Sequence, residues 1–180
     1  MKNKEKIITY AWGISLILIV LIGVLLCVNR PNPEIVKAHQ ELIGTAGKIR
    51  GYYRNRPDYW GLNTGEALKQ NLYEGVMNNN RILNNLGKPV VIGADSEGNA
   101  VMPGRHSFMI GYLGLSRKEC IALLSFHWSE EDGLGLLSVS LKNDAGGIYD
   151  FVWEDGGLPV SRGAAGKYCG QDNSVMWFFE

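Results

Sequence analysis

The sequence predicts an α+β protein in which a long N-terminal helix, part membrane-embedded and part amphipathic, packs on an antiparallel β-sheet. Three observations carry this. Residues 7–28 hold no charged side chain, residues 33–53 repeat apolar side chains at helical spacing, and the second half breaks into short apolar runs between Gly, Asn and Asp turns. The last two are the periods of helix and strand. A helix first and strands after it is the order of an α+β fold.

Residues 1–6 form a basic leader carrying Lys2, Lys4 and Lys6. Residues 7–28 supply the roughly 20 consecutive apolar residues that a helix needs to cross a bilayer, and the lysines ahead of them hold that end in the cytoplasm. Tyr10 and Trp12 come early in the run, where amphipathic rings mark the membrane interface. A secretory signal would have a shorter apolar core and small residues at a cleavage site, whereas Cys27 is followed by "VNRPNP". Leu26 before Cys27 is too large for a lipoprotein box, so Cys27 reads as a lipid-facing thiol. "NRPNP" then breaks or kinks the helix, because proline lacks an N–H and clashes with the preceding turn.

From Pro33 the helical spacing resumes over residues 33–53, with Ile35, Ala38, Leu42, Ala46, Ile49 and Tyr53 recurring every three or four residues. Pro33 suits a first helical position and Glu34 favours the same end through the dipole. This spacing turns Ile35, Leu42, Ala46 and Ile49 toward the sheet and Lys37, Glu41 and Lys48 away from it. Gly44, Gly47 and Gly51 weaken the helix and permit close packing against a neighbour.

Residues 54–180 form the globular domain, long enough for one core of its own. "RNRPDYWGLNTG" is turn chemistry with aromatic anchors, "EALKQNLYEGVMNN" a short helix, and "KPVVIGADSEGNAVMPG" strand, polar hairpin, strand. "HSFMIGYLGL" is a strand. "SRKECIALLSF" is a short helix, Ser116 and Glu119 forming its capping box. "LGLLSVSLKNDAGGIYDFVWEDGG" gives two strands joined by an Asn-Asp-Ala-Gly-Gly turn, and "NSVMWFFE" ends the chain as another strand.

Composition narrows the function. Lys plus Arg number 18 and Asp plus Glu 18, a formal net charge of zero, which speaks against an electrostatic nucleic-acid binder. His39, His106 and His127 stand in no metal-binding spacing. His39, on the helix, reads as a solvated or packed residue. "DSEGN" at Asp95 lacks the ligand series of a calcium loop and reads as a hairpin tip. "GLGLLS" at Gly133 lacks the third glycine of a dinucleotide fingerprint, and no G-x-S-x-G occurs. Tyr52, Tyr53, Tyr59 and Trp60 could stack a ligand, but beside a helix end they read as core. No catalytic, cofactor-binding or metal-ligating set emerges, so an enzyme is not expected. Cys120 and Cys169 fall on the side that topology places outside the cytoplasm, where disulfides persist. They are read as bridged, with two free buried thiols the alternative.

In this order of features the whole chain resembles a type IV pilin, of the type IVb branch of bundlin and the toxin-coregulated pilin. "GISLI" from Gly13 is similar to the prepilin processing motif, and "IRGYYRNRPDYWGLNTGEAL" from Ile49 to the end of the pilin spine helix and the loop after it. "NNLGKPVVI" from Asn84 is similar to the strand segment that follows. "GLSRKECIALLSF" sets Cys120 where the first disulfide cysteine belongs, and "YCGQDNSVMWFFE" sets the second, Cys169, just before a terminal strand. The resemblance implies a lollipop-shaped fold, processing between Gly13 and Ile14, an assembly role and no catalysis. Its implied partners are other pilin subunits through the N-terminal helix, inner-membrane pilus assembly proteins and prepilin peptidase. The implied location is the bacterial inner membrane with the domain periplasmic, or a surface pilus. Family subunits carry a glutamate five residues into the mature chain, pairing with a neighbour's N-terminal amine. Here Leu18 stands in that place, and cutting after Gly13 would leave an apolar run of only about fifteen residues against the roughly 20 of a span. A minor or atypical subunit that enters or primes a filament is therefore the expectation. The alternatives are a permanently anchored periplasmic accessory protein that binds pilins or assembly machinery, and an unrelated anchored enzyme or sensor.

Overall fold

Helix α1, Pro33–Tyr53, lies against a five-stranded antiparallel sheet through the face that its apolar spacing predicts. The structure is a computed structural model that describes residues 32–78, 81–95, 107–128 and 135–180. The leader, the apolar run 7–28, the Gly13–Ile14 processing point, Leu18 and Cys27 lie outside these residues, as do His106 and the second strand expected near residues 99–103. Among the described residues no helix is long and apolar enough to cross a membrane.

The sheet order is β3-β4-β7-β5-β6, from β3 (Val90–Asp95), β4 (Ser107–Leu115), β5 (Leu136–Asn143), β6 (Ile148–Val152) and β7 (Asn173–Phe179). The C-terminal strand thus takes the centre. Val175, Trp177 and Phe179 alternate toward the helix and are fully buried, and the central place gives each of them same-face neighbours on both flanking strands. The register carries the same face outward, since Trp177 pairs with Ile110 on one side and Val139 on the other. Ile110 in turn pairs with Ile92. Partners across a ladder share a face, so one apolar layer runs from β3 to β5 beneath α1. The irregularity in β4 between Tyr112 and Leu115 contains Gly114 at φ +70, a backbone state that glycine adopts without steric cost.

Local chemistry sets the shorter elements. Helix α2, Thr64–Lys69, is capped by Asn63, whose side chain accepts from the Glu66 N–H at 3.0 Å. It is shorter than its sequence suggests. Asn71 turns left-handed at φ 55 and ends it, and the remainder of the expected helix becomes β1 (Val76–Asn78), paired with β2 (Arg81–Leu83). Helix α3, Arg117–Leu124, has the predicted capping box: Ser116 accepts from the Glu119 N–H while the Glu119 carboxylate accepts from the Ser116 N–H at 2.7 Å. Burial opposes ionisation of Glu119, but hydrogen bonds from Ser116 and the charge of Lys88 outweigh it and hold its carboxyl below the usual range. The β5–β6 turn closes where expected, with the Gly147 N–H donating to the Asn143 side chain at 2.9 Å and Gly146 at φ +80.

One helix was not foreseen. Helix α4, Arg162–Tyr168, has the sequence RGAAGKY, only seven residues with two glycines, too short to be stable alone, and is held by the Ser161 cap and by its tie to α3. That tie is the disulfide Cys120–Cys169, with Cα atoms 6.0 Å apart. The sequence separation is 49 residues, and the bridge pins β5, β6 and α4 as one closed loop onto the core. Pro33–Glu180 forms a single compact unit.

Candidate functional site

Helix α1 divides into two faces that differ in burial. The inner face buries Ile35, Ala38, Leu42, Ala46 and Ile49 against the sheet, as the spacing predicts. The outer face leaves Glu34, Lys37, Gln40, Gly47, Lys48 and Gly51 exposed. Lys37 and Lys48 therefore lie as expected. Glu41 does not: it is only 3% exposed, and its place on the helix is a correction to the reading of charge as solvent-facing.

The reason is a polar clamp that spacing alone cannot reveal. The Tyr73 hydroxyl donates to Glu41 Oε1. The Asn85 backbone N–H and side-chain amide donate to Glu41 Oε2 at 2.9 and 2.6 Å. The Tyr112 hydroxyl, 2.9 Å from the Ala38 carbonyl, lies a further 3.4 Å from Glu41 Oε1. One carboxylate thereby ties α1 to the segment before β1, to the β2–β3 turn and to β4. Burial pushes the Glu41 carboxyl above its ordinary value, opposed in part by the bonds from Tyr73, Asn85 and Tyr112. Burial, with Glu41 as acceptor, raises Tyr73 and Tyr112 as well. Both tyrosines therefore stay protonated and able to donate. The arrangement is a structural clamp, in which both hydroxyls keep their protons and donate hydrogen bonds to the Glu41 carboxylate.

The same segment runs along the outer edge of the helix. The Glu74 N–H donates to Thr45 Oγ1 at 3.3 Å, and Lys48 pairs with Glu74 at 3.2 Å. A Cβ on Gly44 would stand 2.2 Å from the Glu74 carboxylate, so this glycine gives the acid its seat. At Gly47 and Gly51 a Cβ would meet nothing within 4 Å. Those two glycines keep the open face low without serving the fold of this chain.

The other sequence candidates scatter. His39 is buried and stacked on Phe126, ring centroids 3.5 Å apart, with Trp128 at 4.7 Å, which makes it a packed residue. His127 is exposed. Among the described residues no group of three His, Cys, Asp or Glu side chains could hold a metal. Asp95 ends β3 and accepts from the Ser107 hydroxyl at 3.1 Å. Within the "GLGLLS" stretch the described part becomes the start of β5. Tyr53 is buried and meets Tyr52 and Tyr59 in a ring cluster that continues to Phe108. Trp60 departs from the expectation of core, being 79% exposed at the tip of the loop.

A spine helix on an antiparallel sheet, with a disulfide closing the loop that carries β5, β6 and α4, is a fold of the type IV pilin kind. TcpA, a type IV pilin from the Vibrio cholerae El Tor biotype, matches with a TM-score of 0.50 and 16% identity over 83% of this chain and 100% of that one. A type IVb pilin from Salmonella typhi aligns over 77% of this chain and 96% of its own, with a TM-score of 0.48 and 13% identity. No protein-family model and no curated protein sequence matches the chain.

Proposed function

We propose that this protein is a type IVb pilin-like subunit, minor or atypical, that enters or primes a filament through its N-terminal helix. The observation that supports it best is α1 itself. It follows an apolar run closely in sequence, docks one face on a pilin-type sheet, and leaves Gly47 and Gly51 on an uncovered face. Its partners are then other pilin subunits through that helix, together with inner-membrane assembly proteins and prepilin peptidase. Its subunits await assembly in the inner membrane with the domain in the periplasm. It performs no catalysis.

Leu18 gives the reading its minor character. A buried glutamate beside a neighbour's ammonium is tolerated because the charges compensate, whereas an unpaired buried charge costs several kcal/mol. Leucine cannot recruit a neighbour by charge, so the chain belongs at a filament end or among rare members. Quantitative proteomics of sheared filaments should find it at low stoichiometry, with Ile14 as the mature N-terminal residue by mass spectrometry. Dominance in the filament would overturn the minor role. Absence from filaments with an intact leader would favour the anchored accessory protein instead. Leu18→Glu should raise incorporation of a processed subunit, and should leave an unprocessed anchor no better incorporated because it places a charge in the span.

The open face of α1 makes a separate prediction. Gly47→Trp adds a side chain where a Cβ meets nothing, so the thermal midpoint should hold, a surface substitution of this kind altering stability by about 0.5 kcal/mol or less. Incorporation into filaments should fall sharply, because an indole blocks the close approach that glycine allows. Unchanged incorporation would remove this face from the assembly contact.

A further inference from the structure

Away from the helix face, an open surface pocket of about 380 Å³ is lined by Arg117, Lys118, Ile121 and Arg162. Arg117 and Lys118 begin α3, Ile121 stands one turn on, and Arg162 begins α4. Three of the four lining side chains are cations. No carboxylate is among them, and none of the three makes an ion pair among the described residues. The nearest acid in sequence, Glu119, is committed to Ser116 and Lys88. In a chain with zero net charge, this is a local concentration of positive charge without a counter-charge.

The pocket is also held in shape. Arg117 donates through both terminal nitrogens to the carbonyls of Cys169 and Gly166 in the last turn of α4. Those two bonds leave the remaining guanidinium N–H groups for a ligand. The disulfide Cys120–Cys169 fixes α3 to α4 directly beneath. Like charges held together in this way favour an anion between them, and an arginine fork beside a lysine point charge suits phosphate oxygens. The apolar wall is Ile121, which is half-buried and leaves hydrocarbon open to the pocket.

We propose that the Arg117–Lys118–Arg162 pocket binds a dianionic phosphate group carried on a small organic ester, whose apolar part rests on Ile121. The test titrates the full chain, in a neutral detergent at low ionic strength, with phenyl phosphate, inorganic phosphate and benzoate by isothermal calorimetry. An exposed site of this charge should bind phenyl phosphate with a Kd on the order of 1 mM. Inorganic phosphate should bind several-fold more weakly for want of the apolar contact, and benzoate more weakly again for want of the second charge.

Lys118→Gln with Arg162→Gln should weaken phenyl phosphate about tenfold or more. Neither side chain makes an ion pair among the described residues, and an unchanged thermal midpoint will show that the fold is intact. Ile121→Ser should erase the preference for the ester while inorganic phosphate binds as before. Absence of saturable binding, or equal binding by the double variant, would overturn the proposal. Benzoate matching phenyl phosphate would overturn the assignment to phosphate, and inorganic phosphate matching the ester would overturn the role of Ile121.

Discussion

Replacing Cys120 and Cys169 together by alanine is expected to lower the unfolding free energy by about 4 kcal/mol. The bridge spans a sequence separation of 49 residues, and in the chain-entropy model its loss releases the unfolded chain by that amount. Alanine is the right replacement because both cysteines are buried, at 0 and 1% exposure, and a serine hydroxyl there would add a separate desolvation cost. Urea unfolding of the full chain should show an earlier midpoint. Amide exchange should also rise first in α4, whose RGAAGKY sequence holds its helix by tertiary ties. Loss of less than about 1 kcal/mol would mean that the unfolded chain is already compact enough to gain little from release.

The second large effect is expected at Glu41. Glu41→Ala leaves the Asn85 backbone N–H and side-chain amide without their acceptor. Tyr73 retains the Leu83 carbonyl at 2.9 Å and Tyr112 retains that of Ala38, so the loss falls mainly on Asn85 and on the link from helix to loop. Bonds to a charged acceptor contribute about 1.5–3 kcal/mol, and the relief of burying the charge offsets part of that. A net loss of about 2–3 kcal/mol is expected, read from the urea midpoint.

Titration separates the charge from the bonds. Because the folded carboxyl is raised above its ordinary value of 4.5, the folded state holds a proton that the unfolded state has already released. The stability contributed by this group is therefore full below pH 4.5 and declines as pH rises through the folded value. Glu41→Gln cannot titrate and should flatten this decline while keeping an acceptor for Asn85. A variant with the same slope as the native chain would place the titration elsewhere.

Much of the fold was legible because it is written in local periods. The 3.6-residue spacing of α1, the Ser116 and Glu119 cap, the Asn143 to Gly147 turn and the apolar alternation of the last strand each depend on residues within a few positions of one another. The pairing of Cys120 with Cys169 was legible from the compartment and from the order of motifs. Local spacing fails where distant segments meet. Glu41 falls among the polar positions of α1, and only the arrival of Tyr73, Asn85 and Tyr112 from three other places makes it a buried residue. Trp60 reads as core by composition, yet the loop turns it outward.

What the sequence by itself determined is therefore the α+β class, the faces of α1 apart from Glu41, and the order of most elements after it. The tertiary structure alone decided that the last strand lies at the centre of the sheet, that a glycine-rich segment forms α4, and that three cations from two helices line one pocket. Each of these rests on contacts between residues far apart in the chain, whose free energy exists only once the intervening loop has closed.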